Sequence, residues 1–265
     1  MKDRVKALTA IDLLFLGMLV LSSVIGNIVV SRILYYSAFI LPILLSLVYI
    51  SVNKSNFSSD VKIKIWNKRS PAILLLIFPT VALMIGVSSV MGALKSKLGY
   101  AASPELDEPF LLAVLLHALV PAILEELLFR YAPIKILGGS ASTVGLSAII
   151  FALAHTDVFS IPHAFVAGVV LAICVIASGS ILPAIILHFI NNLTSLTMSY
   201  YPSHSMTAVY AVLILAVLSA SLIIILRKSF LKLLGTIGTE HEEFGAAPLA
   251  FVILSLFIAL TNLIK

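Results

Sequence analysis

A chain of 265 residues that is 61% hydrophobic and only 11% charged lies far from the soluble norm of about half apolar and a quarter charged. Its mean hydropathy of +1.15 indicates a membrane protein. The net charge of +5 is spread over short loops between apolar runs, which argues against a nucleic-acid surface and for membrane orientation. A single cysteine, Cys174, excludes an internal disulfide and a cysteine-based zinc knuckle.

The basic start, with Lys2, Arg4 and Lys6, precedes an apolar run from Ala10 to Val30. That run is too long for a signal-peptide core and lacks a clean cleavage site, so it reads as a retained first transmembrane helix. A spanning helix needs about 20 apolar residues. Nine apolar segments follow one another at roughly 10–30, 33–52, 71–93, 109–137, 142–156, 160–178, 181–199, 206–226 and 247–264. The fifth is short enough to be a partial span. The expected fold is therefore an all-α, polytopic membrane helix bundle of eight or nine transmembrane helices. Of the two longer polar stretches, 53–70 is expected on the membrane surface with Trp66 as an interfacial anchor. Small residues recur in the sixth span, where Gly168 is expected to let helix backbones approach closely. No internal repeat or soluble domain is evident, so residues 1–265 form a single membrane domain. With the N-terminus inside, the inside segments hold thirteen of the 17 basic residues and the outside segments four. The positive-inside rule then predicts a multi-pass protein of the cell membrane with a cytoplasmic N-terminus.

Ionisable groups inside a span cost roughly 2.5–3.5 kcal/mol each on insertion scales, so each needs a partner or a task. The fourth span carries His117, Glu125, Glu126 and Arg130. Glu126 and Arg130 stand four apart, acid before base, the favourable order for a helical ion pair. Glu125 projects about 100° away and has no sequence-local partner. In the fifth span Phe151 and His155 share a helix face, and in the seventh His188 and Asn192 do, with Asn191 turned elsewhere. A carboxylate, two imidazoles and a carboxamide suffice for hydrolysis. The acid and one histidine can deprotonate a water, and the other histidine with the asparagine can donate hydrogen bonds to an oxyanion. His117, two turns before Glu125, is expected to hydrogen-bond within the core. Asp157, His163 and His204 lie near span ends, where reaching to water is expected. The stretch Glu240–Glu243 lacks the second histidine of a zincin motif and reads as solvated surface.

These residues resemble the CPBP family of intramembrane proteases, which includes type II CAAX prenyl endopeptidases and Abi proteins. The family's three motifs, EExxxR, FxxxH and HxxxN/D, stand here as Glu125-Glu126-Leu-Leu-Phe-Arg130, Phe151-Ala-Leu-Ala-His155 and His188-Phe-Ile-Asn-Asn192, in the same order. The resemblance covers about 109–199, which would be the catalytic core. It implies that Glu125 and His155 activate a water, that His188 and Asn192 stabilise the oxyanion, and that Glu126 and Arg130 brace the site, with Phe151 alongside. The implied function is a glutamate-dependent endopeptidase acting on a membrane-associated protein or peptide, prenylated in the CAAX case. The partners are that substrate and the lipid bilayer, with no nucleic acid. Although a glutamate and two histidines can bind zinc, no metal is expected to be obligatory. The competing functions are a proton- or ion-coupled transporter, which would show repeats and broken helices, and a catalytically inactive scaffold or immunity protein.

Depth along the helices leads to one further expectation. At ~1.5 Å per residue Glu125 lies about 24 Å from Pro109, and His188 about 11 Å past Ile181, which places both in the inner half of the membrane. His155, at the far end of its segment, fits this badly. A cavity open to the cytoplasm is nevertheless expected from the other two.

Overall fold

The computed structural model describes residues 2–53, 63–66, 68, 73, 77–100, 108–155, 157–200, 221, 224–225, 235, 237 and 247–264. Among these the fold is all-helical, with no strand beyond an isolated bridge between Lys64 and Ser180. In chain order the helices are α1 (Lys2–Val24), α2 (Ile28–Val52), α3 (Ile77–Lys97), α4 (Phe110–Leu137), α5 (Ala141–Ala154), α6 (Ile161–Ser178), α7 (Leu182–Tyr200) and α8 (Ala247–Ile264). Four of them, α1, α2, α4 and α6, are long and apolar enough to cross a membrane. Shorter apolar helices accompany them, including the 14-residue α5, whose length of about 21 Å falls short of a ~30 Å hydrocarbon core. The expected span at 206–226 lies outside the described residues except for Ser221, Ile224 and Ile225, and so do His204 and the Glu240–Glu243 stretch.

The first helix boundary differs from the expected one. The chain breaks after Val24, not near Ser31, because Asn27 caps α2 by accepting hydrogen bonds from the N–H groups of Val29 and Val30, both at 3.1 Å. Asparagine is among the strongest N-cap residues, and it overrides the unbroken hydropathy through Ile28–Val30. Arg32 consequently sits inside α2 rather than in a loop.

Contacts between helix ends fall into two groups, which mark the two ends of the bundle. At one, Arg32 Nη2 meets Glu108 Oε1 at 3.0 Å, Lys95 meets Asp157 at 3.4 Å, and the Tyr200 hydroxyl donates to the Glu108 carbonyl at 2.6 Å. At the other, Lys64 N–H donates to the Gly179 carbonyl and Ile181 N–H to that of Lys64, so part of the polar stretch 53–70 docks on the α6–α7 turn. Trp66 remains 45% exposed beside it. Gly179 closes α6 at φ 63°, a left-handed conformation that glycine adopts without a Cβ penalty.

The core joins Phe15 of α1, Phe39 of α2, Phe129 of α4, Phe151 of α5 and Phe251 of α8, all under 5% exposed. Phe15 lies edge-on to Phe39 and Phe129, and Phe129 lies at an angle to Phe151. The expected close approach at Gly168 is present: a Cβ there would stand 2.8 Å from Ala148 Cα. That contact sets how tightly α6 packs on α5, and so where the end of α5 lies.

Candidate active site

Helix α4 is not a uniform α-helix. Two π-helical turns, Val114–Leu119 and Leu127–Tyr131, flank the α-helical segment Val120–Glu126. Each π turn ends two residues before a proline, Pro121 or Pro133. Proline lacks an N–H and its ring crowds the carbonyl four residues back, and a wider i→i+5 turn relieves that crowding. The Phe129 carbonyl, which Pro133 cannot serve, instead accepts a hydrogen bond from Ser147 Oγ of α5. The prolines therefore shape the helix around Glu125, Glu126 and Arg130, and they tie it to α5.

Glu126 and Arg130 are both fully buried, with Nη1 3.2 Å from Oε1. This is the i, i+4 tie expected from their spacing. The guanidinium nitrogens make no aligned hydrogen bond among the described residues. Coulomb attraction and the face of Phe151, whose centroid lies 3.8 Å from Arg130 Cζ, hold the cation instead. The tertiary fold supplies the partner that Glu125 lacks in sequence. His188 of α7 places Nδ1 2.8 Å from Glu126 Oε1 and Nε2 3.5 Å from Glu125 Oε2. The two ring nitrogens of His188 thus bridge the two glutamates of the first motif.

Phe151 is the hub of the second motif. Besides Arg130, its ring lies edge-on to His155 at 4.8 Å and to His188 at 5.6 Å. His155 Nδ1 lies 2.9 Å from the Phe151 carbonyl. A carbonyl oxygen only accepts, so Nδ1 carries the proton and, in the neutral ring, Nε2 is left as a base.

A cavity of about 320 Å3 is lined by Tyr35, His117, Pro121, Glu125, His155, Asn192, Ser195 and Leu196. Three motif residues, Glu125, His155 and Asn192, therefore share one wall, while His188, Glu126, Arg130 and Phe151 lie behind it. The cavity belongs to the end of the bundle that carries Glu108, His117, Asp157 and Tyr200. The N-terminus and the α6–α7 turn lie at the opposite end. The expectation that cavity and N-terminus share one side is thus corrected. Glu125 stands about midway along α4, so depth counted from one helix end does not decide the side, whereas His155, at the end of α5, does.

Several smaller expectations change. His163 does not reach to water: its Nε2 is buried with no hydrogen-bond partner among the described residues, and it lies beside Asn191 within the electrostatic reach of His155 and His188. Asn191, only 6% exposed, donates to Asn192 Oδ1 at 3.5 Å. Asp157 pairs with Lys95 and, in the turn before α6, accepts hydrogen bonds from the Phe159 N–H and the Ser160 hydroxyl. His117 lines the cavity and contacts Glu108 at 3.3 Å. Sequence reasoning passed over Tyr35, which stands among apolar residues with no motif to mark it. It also passed over Asp12, whose position inside the first span was a legible signal. Asp12 is 1% exposed and its Oδ2 has no hydrogen-bond partner among the described residues.

Both ring nitrogens of His188 face carboxylates, and among the described residues no three histidine, cysteine, aspartate or glutamate side chains are arranged to hold an ion.

Fold and site together define a multi-pass membrane protein whose buried carboxylate–imidazole cluster backs a polar cavity. Residues 107–194 match the family model of the Type II CAAX prenyl endopeptidase Rce1-like proteins. That segment contains all three motifs, and the match supports a membrane protease function. No curated protein and no solved structure matches the chain.

Proposed function

We propose that the chain is a glutamate-dependent endopeptidase that hydrolyses a peptide bond of a membrane-associated protein or peptide, of the CAAX or peptide-maturation type, with residues 109–199 as its catalytic core. The observation that carries this reading is the shared cavity wall of Glu125, His155 and Asn192. A water between Glu125 and the unprotonated His155 Nε2 loses its proton to the carboxylate as it attacks the scissile carbonyl. Asn192 donates to the developing oxyanion. The C–N bond then breaks, and the proton passes from Glu125 to the departing amine. His188 orients Glu125, while Glu126, Arg130 and Phe151 fix His188. No step requires a metal ion.

Membrane proteomics of a Glu125→Gln strain tests the reading. A precursor that keeps an intact terminal segment should accumulate, and wild-type protein added back should process it. Undiminished cleavage by Glu125→Gln removes Glu125 from the mechanism. The absence of any accumulating precursor favours a scaffold over a protease.

A further inference from the structure

On the peptidase reading, the tetrahedral intermediate needs hydrogen-bond donors about 2.7–3.1 Å from its oxyanion. The motif resemblance assigns two, His188 and Asn192. Here His188 has no donor to spare: Nδ1 is held by Glu126 at 2.8 Å, Nε2 faces Glu125 at 3.5 Å, the side chain is only 4% exposed, and it is not among the residues of the cavity wall. His117 is on that wall, but its Nε2 is directed to Glu108 at 3.3 Å. Asn192 is therefore left as the only motif donor on the wall.

Helix α2, outside the matched segment, contributes one more polar group. Tyr35 shares the wall with Glu125, His155 and Asn192. Its ring is fixed edge-on against Tyr36 at 5.3 Å and Phe39 at 5.5 Å, and Phe39 in turn packs on Phe15 at 4.9 Å. Tyr35 also lies within the electrostatic reach of the Glu125 carboxylate. A phenol is a stronger donor than the alkyl hydroxyl of Ser195 on the same wall.

We propose that the Tyr35 hydroxyl is the second oxyanion donor, acting with Asn192. As water attacks, the carbonyl π electrons move onto oxygen, and Tyr35 and Asn192 stabilise that charge. Tyr35 keeps its proton throughout, since the water proton goes to Glu125 and then to the leaving amine. A residue of α2 thereby becomes part of the chemistry of the segment 109–199.

The test uses the full chain in proteoliposomes and the precursor that accumulates in Glu125→Gln membranes. Tyr35→Phe keeps the ring contacts and removes only the hydroxyl. It should lower kcat by roughly 10²–10³-fold, the effect of losing one oxyanion donor, with KM nearly unchanged. Affinity for a phosphinate analogue of the cleaved bond, which mimics the oxyanion, should fall in parallel. Affinity for the intact precursor, measured in the Glu125→Gln background, should not. A protein carrying 3,5-difluorotyrosine at this position retains a hydroxyl and should retain turnover. Wild-type kcat in Tyr35→Phe overturns the proposal, and so does a loss confined to KM with phosphinate affinity intact. If wild-type protein itself leaves every precursor uncut, the peptidase reading falls and this role falls with it.

Discussion

His188 Nδ1 stands 2.8 Å from Glu126 Oε1 although the two residues are 62 positions apart. This contact joins α7 to α4 and places a histidine against both glutamates of the first motif. It makes Arg130, Glu126 and His188 one buried polar unit in which each group depends on the others.

Removing one member of that unit leaves a buried charge unpaired, at a cost of about 3–5 kcal/mol. Arg130→Met should therefore destabilise the protein by about that amount, because Arg130 and Glu126 are both fully buried. The double variant Arg130→Met, Glu126→Gln should recover most of the loss, since a neutral pair has little to desolvate. Thermal inactivation midpoints in detergent check this. A double variant no more stable than the single one would disprove the coupling.

Phe151 offers its ring to Arg130 at 3.8 Å and meets both catalytic-motif histidines edge-on. Phe151→Leu keeps apolar bulk but loses the cation–π contact and the aromatic pairs, together about 1–3 kcal/mol. Activity should fall more steeply than stability, because His155 and His188 lose their common support. Parallel measurements of melting and precursor cleavage show whether the two losses separate.

Gly168 leaves no room for a side chain, since an added Cβ would meet Ala148 Cα at 2.8 Å and Ala148 Cβ at 3.0 Å. Gly168→Ala should destabilise by about 1–3 kcal/mol through overpacking. It should also lower activity, because pushing α5 away displaces His155. Adding Ala148→Gly removes the Cβ clash but not the clash with the backbone carbon, so the double variant should regain only part of the stability. Full recovery in a thermal shift assay would contradict the close-contact account.

The cavity and the N-terminus lie at opposite ends of the bundle. Cys174 is buried and is the only cysteine, so a Cys174→Ala background permits single-cysteine labelling. Lys6→Cys and Lys97→Cys should react with a membrane-impermeant thiol reagent from opposite faces of sealed vesicles. With a cytoplasmic N-terminus, as the distribution of basic residues implies, Lys97→Cys labels from outside. Labelling of both from one face would refute the two-ended arrangement.

Hydropathy alone determined that the chain is helical and embedded in membrane, because a bilayer forces nearly every backbone group to be satisfied within its own helix. Spacing alone determined the Glu126–Arg130 tie and the shared faces of Phe151 with His155 and of His188 with Asn192, since these are local consequences of 3.6 residues per turn. Capping showed where local signals compete: Asn27 ended the first helix before its apolar run ended. What lay beyond sequence were relations between helices. Only the packing of α7 on α4 brought His188 to Glu125 and Glu126. Only the packing of α2, α4, α5 and α7 around Glu125 placed the cavity at the end opposite the N-terminus. Only the approach of α2 set Tyr35 on the wall beside Glu125. Each depends on how side chains far apart in sequence fill one dense interior, and no periodicity along a single helix encodes that.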